Sequence, residues 1–175
     1  EGRAVRDAAR HYNRIAQMGT QWRSGEHFAE AVELVRSGKL GKVPFARTCI
    51  AGNRQPIGHA KDADVPKGVD YDLWLGPASP RAFNPNRFHY KWHWNWDYGT
   101  GELGNNGIHI IDLCRWALQA EYPTRVTSSG GRFRFEDDQE TPDTAFGSYD
   151  FGGKGLTWDG ASCTPRGGEN LSFVT

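Results

Sequence analysis

The stretch from Gly104 to Trp116 carries groups capable of proton transfer within an otherwise apolar helical pattern. Asn105, His109, Asp112 and Trp116 are separated by four, three and four residues, which places them on one face of an α-helix. A histidine near the start of a helix can exchange a proton with a substrate hydroxyl, and a carboxylate one turn away can orient its ring. The spacing is compatible with a proton-transfer site, and the glycines at 99, 101, 104 and 107 favour one because they allow a ligand close to this end of the helix. The alternative is that His109 and Asp112 are ordinary core polar groups that satisfy each other or the backbone.

A second candidate region is the run from Tyr90 to Tyr98, in which aromatic and polar residues alternate. In an extended chain, this alternation would place the rings on one face and the polar groups on the other. Flat rings can stack on the C–H faces of a sugar, so Trp92, His93 and Trp94 are predicted to bind substrate. The rings are equally suited to anchor a core or an interface. His89 and His93 are four apart, a spacing that suits a metal only on a helix, so the extended prediction disfavours a metal site.

Composition excludes several classes of function. The 175 residues include 21 Lys+Arg and 21 Asp+Glu, and a balanced charge gives no electrostatic basis for binding nucleic acid or an anionic membrane. No apolar run approaches the roughly 18 residues of a membrane-spanning helix. Cys49, Cys114 and Cys163 are widely spaced, which disfavours a disulfide scaffold or a zinc site. The glycines before His109 do not form a dinucleotide fingerprint, and no nucleophile elbow supports acyl transfer.

The order of predicted elements indicates an α+β fold that follows the end of an α/β unit. Hydrophobic periodicity predicts helices from Val5 to Tyr12, from Ser24 as N-cap to Gly38, and from Gly104 to Leu118. A long, aromatic-rich loop separates the last two of these, from about Gly52 to Gly101. Strands are predicted at Ile15–Met18, Val43–Ala51, Arg125–Phe135, Thr144–Phe151 and Gly155–Cys163, with a hairpin turn at Gly152–Gly153.

Several motifs, in the same order along the chain, resemble those of the Gfo/Idh/MocA oxidoreductase family. They are Gly19–Ser24 (GTQWRS), Ala31–Val43 (AVELVRSGKLGKV), Asp70–Ala78 (DYDLWLGPA), Phe83–Phe88 (FNPNRF) and Gly104–Asp112 (GNNGIHIID). The resemblance covers nearly the whole chain and is greatest to a bacterial subgroup whose substrate domain carries a long Trp-rich loop.

This resemblance implies two domains. Residues 1–20 would be the last helix and strand of an NAD(P)-binding Rossmann domain, and residues 21–175 an incomplete substrate domain. The substrate domain would be built on an open, mostly antiparallel sheet with helices on one face. The family's glycine fingerprint and its Glu-Lys-Pro motif do not occur in this sequence. We therefore expect a chain truncated at both ends, inactive alone and belonging to an enzyme that forms a homo-oligomer.

The resemblance also implies roles for individual residues. The family histidine that transfers a proton corresponds to His109, and a later aspartate with an orienting role corresponds to Asp112. Where relatives often carry Asp, this chain has Asn105, which cannot take a proton, so His109 would act more alone. NAD or NADP would be the cofactor, contacted here by Gln21, Trp22 and Arg23, and Asn106 would join the substrate-binding residues.

Three functions follow as hypotheses. The first is NAD(P)-dependent oxidation or reduction of a sugar, polyol or related hydroxy compound. The second is NAD-dependent glycoside hydrolysis, which some relatives perform. The third is a carbohydrate-binding or scaffold module without chemistry, with Trp92, Trp94 and Trp96 as its platform. The sequence leaves open the substrate, the reaction direction and the compartment.

Overall fold

A computed structural model describes residues 2–50, 52 and 54–164 of the chain. Its α-helices are α1 (Gly2–His11), α2 (Glu26–Arg36), α3 (Tyr71–Leu75) and α4 (Ile108–Leu118). Its strands are β1 (Phe45–Cys49), β2 (Arg125–Gly131), β3 (Thr144–Asp150) and β4 (Gly155–Asp159). A π-helical turn at Leu103–Gly107 leads directly into α4, and 3₁₀ turns occupy Gln21–Ser24, Pro85–Arg87 and Lys91–Trp94.

The four strands form one open sheet in the order β1-β4-β3-β2. β1 runs parallel to β4, whereas the β4–β3 and β3–β2 pairs are antiparallel. The predicted hairpin between β3 and β4 is confirmed, and both Gly152 and Gly153 have positive φ, the conformation that such a turn requires. The α+β class with an open, mostly antiparallel sheet is therefore confirmed.

Helix α4 lies against one face of the sheet and builds the core with it. Ile110, Cys114 and Leu118 of α4 are buried against Leu156 and Trp158 of β4, in a cluster that also contains Ala46 and Ile50. Each fully buried aliphatic side chain of this kind contributes roughly 1.5–3 kcal/mol. Helix α2 packs on α4 in turn. The helix that carries His109 is thus fixed by the largest apolar contact in the described part of the chain.

The opposite face of the sheet is open. Pleating directs Thr127, Phe146, Ser148 and Thr157 to that face, where they line a shallow concavity. β2 is the outer strand, and all its residues except Gly131 are exposed. No helix in the described part of the chain is long and apolar enough to cross a membrane.

Several predicted elements differ in the structure. Ile15–Met18 does not form a strand, and Ile15 and Met18 are exposed. A short apolar run becomes a strand only when a neighbouring strand supplies its hydrogen bonds, and no described strand pairs with it. Helix α2 begins at Glu26 with Gly25 as its N-cap, because Ser24 belongs to the preceding 3₁₀ turn. Helix α1 ends at His11, and Asn13 beyond it has a φ of 50°.

The extended, two-faced arrangement predicted for Tyr90–Tyr98 is wrong. Lys91–Trp94 coils into a 3₁₀ turn, and Tyr90 before it has a positive φ. His93 and Trp94 are therefore both buried, at 2% and 4% exposure, although alternation would have put them on opposite faces. Trp92 and Trp96 remain exposed, at 41% and 56%. A three-residue helical repeat replaces the two-residue repeat of a strand, which redistributes the rings.

Candidate functional site

His109 is the second residue of α4, just after the π-helical turn. A π-helix pairs residues five apart, so Asn105, within the turn, is rotated relative to its position on an ideal α-helix. No hydrogen bond joins Asn105 to His109 in the described part of the chain. Single turns of π-helix are frequent at functional sites. His109, Asp112 and Trp116 thus share the predicted polar face of α4, whereas Asn105 in the π-helical turn does not continue it.

The 3₁₀ turn Gln21–Ser24 packs across this face of α4. The Trp22 and His109 rings are nearly parallel, with centroids 5.9 Å apart, and Trp22 also stacks on Phe28 at 5.0 Å. Gln21 Nε2 lies 3.5 Å from His109 Nε2. The structure therefore brings Gln21, predicted to contact the cofactor, next to His109, predicted to transfer a proton. The two residues are 88 positions apart in the sequence.

The contact with Gln21 bears on the tautomer of His109. An amide Nε2 can only donate a hydrogen bond, so this 3.5 Å contact is compatible with the tautomer in which His109 Nδ1 carries the proton and Nε2 accepts. Nδ1 is buried and has no hydrogen-bond partner in the described part of the chain. Nε2 is consequently the nitrogen placed to receive a proton.

Asp112 is held by Arg23 rather than by His109. Arg23 Nε and Nη2 donate to the two carboxylate oxygens at 2.6 and 2.8 Å, and the guanidinium lies 5.1 Å from the centroid of the Trp116 ring. The hydrogen bond to Asp112 raises the pKa of Arg23. A bidentate pair of this kind fixes α4 against the 3₁₀ turn. Any orienting effect of Asp112 on His109 therefore acts through the helix and this turn.

A second polar cluster surrounds Glu102, at the start of the π-helical turn. Glu102 is only 3% exposed, and Arg54 Nε approaches its carboxylate at 3.2 Å. Asn106 Nδ2 donates to the same carboxylate, and Arg54 Nη1 donates to the Tyr90 hydroxyl at 2.6 Å. Neither Arg54 nor Glu102 was predicted to belong to a site. The available signal was the four-residue spacing from Glu102 to Asn106, which predicts contact on a helix.

His93 and Trp94 border this cluster. The Arg54 guanidinium lies 5.9 Å from the centroid of the Trp94 ring. His93 Nδ1 donates to the Tyr90 carbonyl, whereas its Nε2 is buried without a partner in the described part of the chain. Burial lowers the pKa of His93, although the bond to Tyr90 opposes this shift. The residues predicted to bind substrate therefore fall into two separate places. Asn106, His93 and Trp94 lie around the Arg54–Glu102 pair, whereas Trp92 lines a separate groove.

Metal ligands are not clustered in the described ranges. Within residues 2–50, 52 and 54–164, no three His, Cys, Asp or Glu side chains are arranged as a metal ion would require. His89 and His93 do not share a helix face, because the chain turns between them with positive φ at His89 and Tyr90.

Comparison with known protein families gives a match over more than half of the chain. Residues 53–150 match the Gfo/Idh/MocA model described as "Oxidoreductase family, C-terminal alpha/beta domain". No curated protein matches the sequence significantly.

Solved structures share the fold at low identity. An aldose–aldose oxidoreductase from Caulobacter crescentus, complexed with glycerol, is 21% identical with a TM-score of 0.63, over 93% of this chain and 39% of its own. The WlbA dehydrogenase from Bordetella pertussis, in complex with NADH and UDP-GlcNAcA, is 14% identical with a TM-score of 0.63, over 97% and 43%. An inositol dehydrogenase homolog from Azotobacter vinelandii, complexed with NADH and myo-inositol, is 16% identical with a TM-score of 0.60, over 96% and 36%. The present chain spans about two-fifths of the length of these proteins.

Proposed function

Because this chain belongs to the Gfo/Idh/MocA oxidoreductase family through its C-terminal α/β domain, we propose that it is the substrate-binding part of a nicotinamide-dependent oxidoreductase. The substrate is a sugar, polyol or related hydroxy compound, and His109 is the proton-transfer residue. The observation that carries this proposal is the position of His109, whose Nε2 faces Gln21 at the exposed edge of the contact between the 3₁₀ turn and α4.

His109 accepts the proton of the substrate hydroxyl on Nε2. As the hydroxyl is oxidised to a carbonyl, its O–H proton passes to the imidazole and its C–H hydrogen leaves as hydride. When bound, the nicotinamide supplies the hydride acceptor. In the reverse direction, protonated His109 returns the proton to the carbonyl oxygen. A histidine suits both directions because its imidazole can both accept and donate a proton.

Gln21 is the residue of this chain best placed to contact the nicotinamide. It is exposed beside His109, whereas Arg23 is bound to Asp112 and Trp22 packs against both Phe28 and His109. Trp22 and Arg23 support the imidazole and the helix, and the exposed Gln21 amide lies beside His109. The residues present therefore fit a nicotinamide cofactor, which Gln21 would contact beside His109 when the cofactor is bound.

Asn106 is proposed to bind a substrate hydroxyl. Its Nδ2 donates to Glu102, which fixes the orientation of the amide and leaves Oδ1 as a hydrogen-bond acceptor. Arg54 neutralises the buried Glu102 carboxylate. The arrangement favours a substrate group that donates a hydrogen bond, which describes a sugar or polyol hydroxyl.

The test is the reduction of NAD⁺ and NADP⁺, each separately, by the full-length gene product that contains this chain, with myo-inositol, sorbitol and aldoses as substrates. His109→Ala should lower kcat by about 10²- to 10⁴-fold, because general acid–base groups contribute about that much. His11→Ala, on the exposed end of α1, is the matched control and should retain activity.

Two results would contradict the proposal. One is no reduction of either nucleotide with any of these substrates, and the other is full activity of the His109→Ala protein. Turnover of an aryl glycoside that needs only catalytic NAD⁺ and is lost in His109→Ala would assign the hydrolytic reaction instead.

A further inference from the structure

An aromatic groove lies beside α3, and none of the residues in contact with His109 lines it. Its walls include Trp74, Pro77, Trp92 and Tyr98, with Asp97 at its polar side, and it encloses about 350 Å³. Small-molecule sites enclose roughly 300–1,000 Å³, so the groove has room for one small ring system. We call these residues the aromatic groove.

The Trp74 wall is held rigidly by other rings. Trp74 stacks on Tyr71 with centroids 5.6 Å apart and meets Tyr98 edge to face at 5.2 Å. Phe88 packs against it from another side at 5.2 Å. Helix α3 is itself fixed at its start, where Asp70 accepts a hydrogen bond from the Leu73 backbone. A wall ordered before a ligand arrives lowers the entropic cost of binding.

The groove also presents charged hydrogen-bonding groups. Asp97 Oδ2 accepts from Arg81 Nη1 at 2.6 Å, and the same Arg81 nitrogen lies 3.4 Å from Glu140. The Asp97 side chain remains 38% exposed, and a carboxylate has about four acceptor positions, so it retains capacity for ligand hydroxyls. Trp92, 41% exposed, adds a second ring beside this carboxylate.

We propose that the aromatic groove binds a pyranose ring of a carbohydrate. The indole rings of Trp74 and Trp92 contact the C–H face of the sugar, and Asp97 accepts hydrogen bonds from its hydroxyls. A protein interface is the less favoured occupant, because acidic residues are depleted from interface cores, whereas hydroxyl recognition uses a carboxylate. The site does not depend on the function proposed for His109.

The test is saturation-transfer NMR with methyl β-D-glucopyranoside and methyl β-D-galactopyranoside, each at about 10 mM, well above a millimolar Kd. Signals should be greatest on the axial C–H protons that face the rings. Trp92→Ala should raise the Kd by about tenfold or more through the loss of ring contact, and Asp97→Asn by about fivefold through the weaker acceptor. The control Trp96→Ala removes a somewhat more exposed indole of the same segment that does not line the groove, and it should change the Kd by about twofold at most.

Three outcomes would overturn the site. They are no saturation transfer to either sugar, equal effects of Trp92→Ala and Trp96→Ala, or sedimentation of a dimer that Trp92→Ala dissociates, which would assign the rings to a second copy of the chain. His109→Ala separates the two proposals, because it should lower the kcat of oxidation as stated above and leave saturation transfer in the groove intact.

Discussion

At the residue scale, two histidines of this chain show how environment divides one residue type into different roles. His109 presents Nε2 toward exposed Gln21, whereas His93 is almost fully buried and donates Nδ1 to a backbone carbonyl. The sequence placed His109 on a polar helix face and His93 on an alternating strand. Only the placement of His109 agrees with the structure. His93 is buried because the 3₁₀ turn Lys91–Trp94 brings its ring to the Tyr90 carbonyl.

His93 should make the chain lose stability in acid. Burial lowers its folded-state pKa below the unfolded value of about 6.5, so below that pH the unfolded state binds protons more readily than the folded state. His93→Asn keeps a donor for the Tyr90 carbonyl and removes the titration. Urea unfolding from about pH 8 to about pH 5 should show a smaller loss of stability in His93→Asn than in the parent.

His59 provides a comparison of opposite sign. Its hydrogen bond to Asp138 raises its pKa, so the stability it contributes is present below the unfolded value and is lost as pH rises through the folded value. His59→Asn should therefore increase the loss of folding stability between about pH 8 and about pH 5.

For His93, an identical pH dependence of stability in His93→Asn and in the parent would contradict the prediction of a lowered pKa.

At the scale of elements, the π-helical turn joins the long aromatic loop to the helix of His109. Glu102, just before the turn, binds Arg54 from the start of the loop, and Arg54 binds Tyr90 from its far part. Asn106 closes the same network from within the turn. The loop is thus attached to the site by polar contacts centred on the buried Glu102, which explains how a segment of mostly irregular backbone holds a defined conformation.

Glu102→Gln should destabilise the chain by roughly 2 kcal/mol, because it leaves the half-buried Arg54 guanidinium without its counter-charge. Chemical denaturation measures this loss. Glu30→Gln, an exposed site on α2, should change stability by about 0.5 kcal/mol at most. Adding Arg54→Met to Glu102→Gln should cost less than Arg54→Met alone, and strictly additive effects would show that the two side chains are not coupled.

At the scale of the whole molecule, the sheet and α4 form the platform on which the candidate sites rest. Ile110 follows His109 directly and is completely buried against the sheet, so the same turn of helix presents the imidazole on one side and anchors it on the other. The outer sheet face has no covering element in the described ranges. The homo-oligomer expected from the family resemblance stays a prediction.

Ile110→Ala should cost about 2–5 kcal/mol, the usual range for truncation of a fully buried aliphatic side chain. Leu73→Ala, a highly exposed position on α3, is the matched control and should cost about 0.5 kcal/mol at most. Thermal or urea unfolding measures both. A cost for Ile110→Ala no greater than the control would contradict the core described for α4 and the sheet.

The sequence determined the features that depend on neighbours along the chain. Helices α1, α2 and α4, all four strands of the described sheet and the Gly152–Gly153 turn followed from periodicity and turn chemistry, and His109 was located by helical spacing. The fold class and the family followed from the order of elements and motifs. The NAD(P) cofactor residues, the proton-transfer role and the domain division stay predictions.

Tertiary structure alone decided which distant groups meet. The pairing of Arg23 with Asp112, the contact of Gln21 with His109 and the pairing of Arg54 with Glu102 join residues that no local pattern relates. Alternation failed at Tyr90–Tyr98 because burial of His93 and Trp94 together requires a tight turn, and no strand of the described ranges pairs with Ile15–Met18. Periodicity reports the face that a regular element presents, whereas the conformation of an irregular segment is set by the contacts it makes with the rest of the molecule.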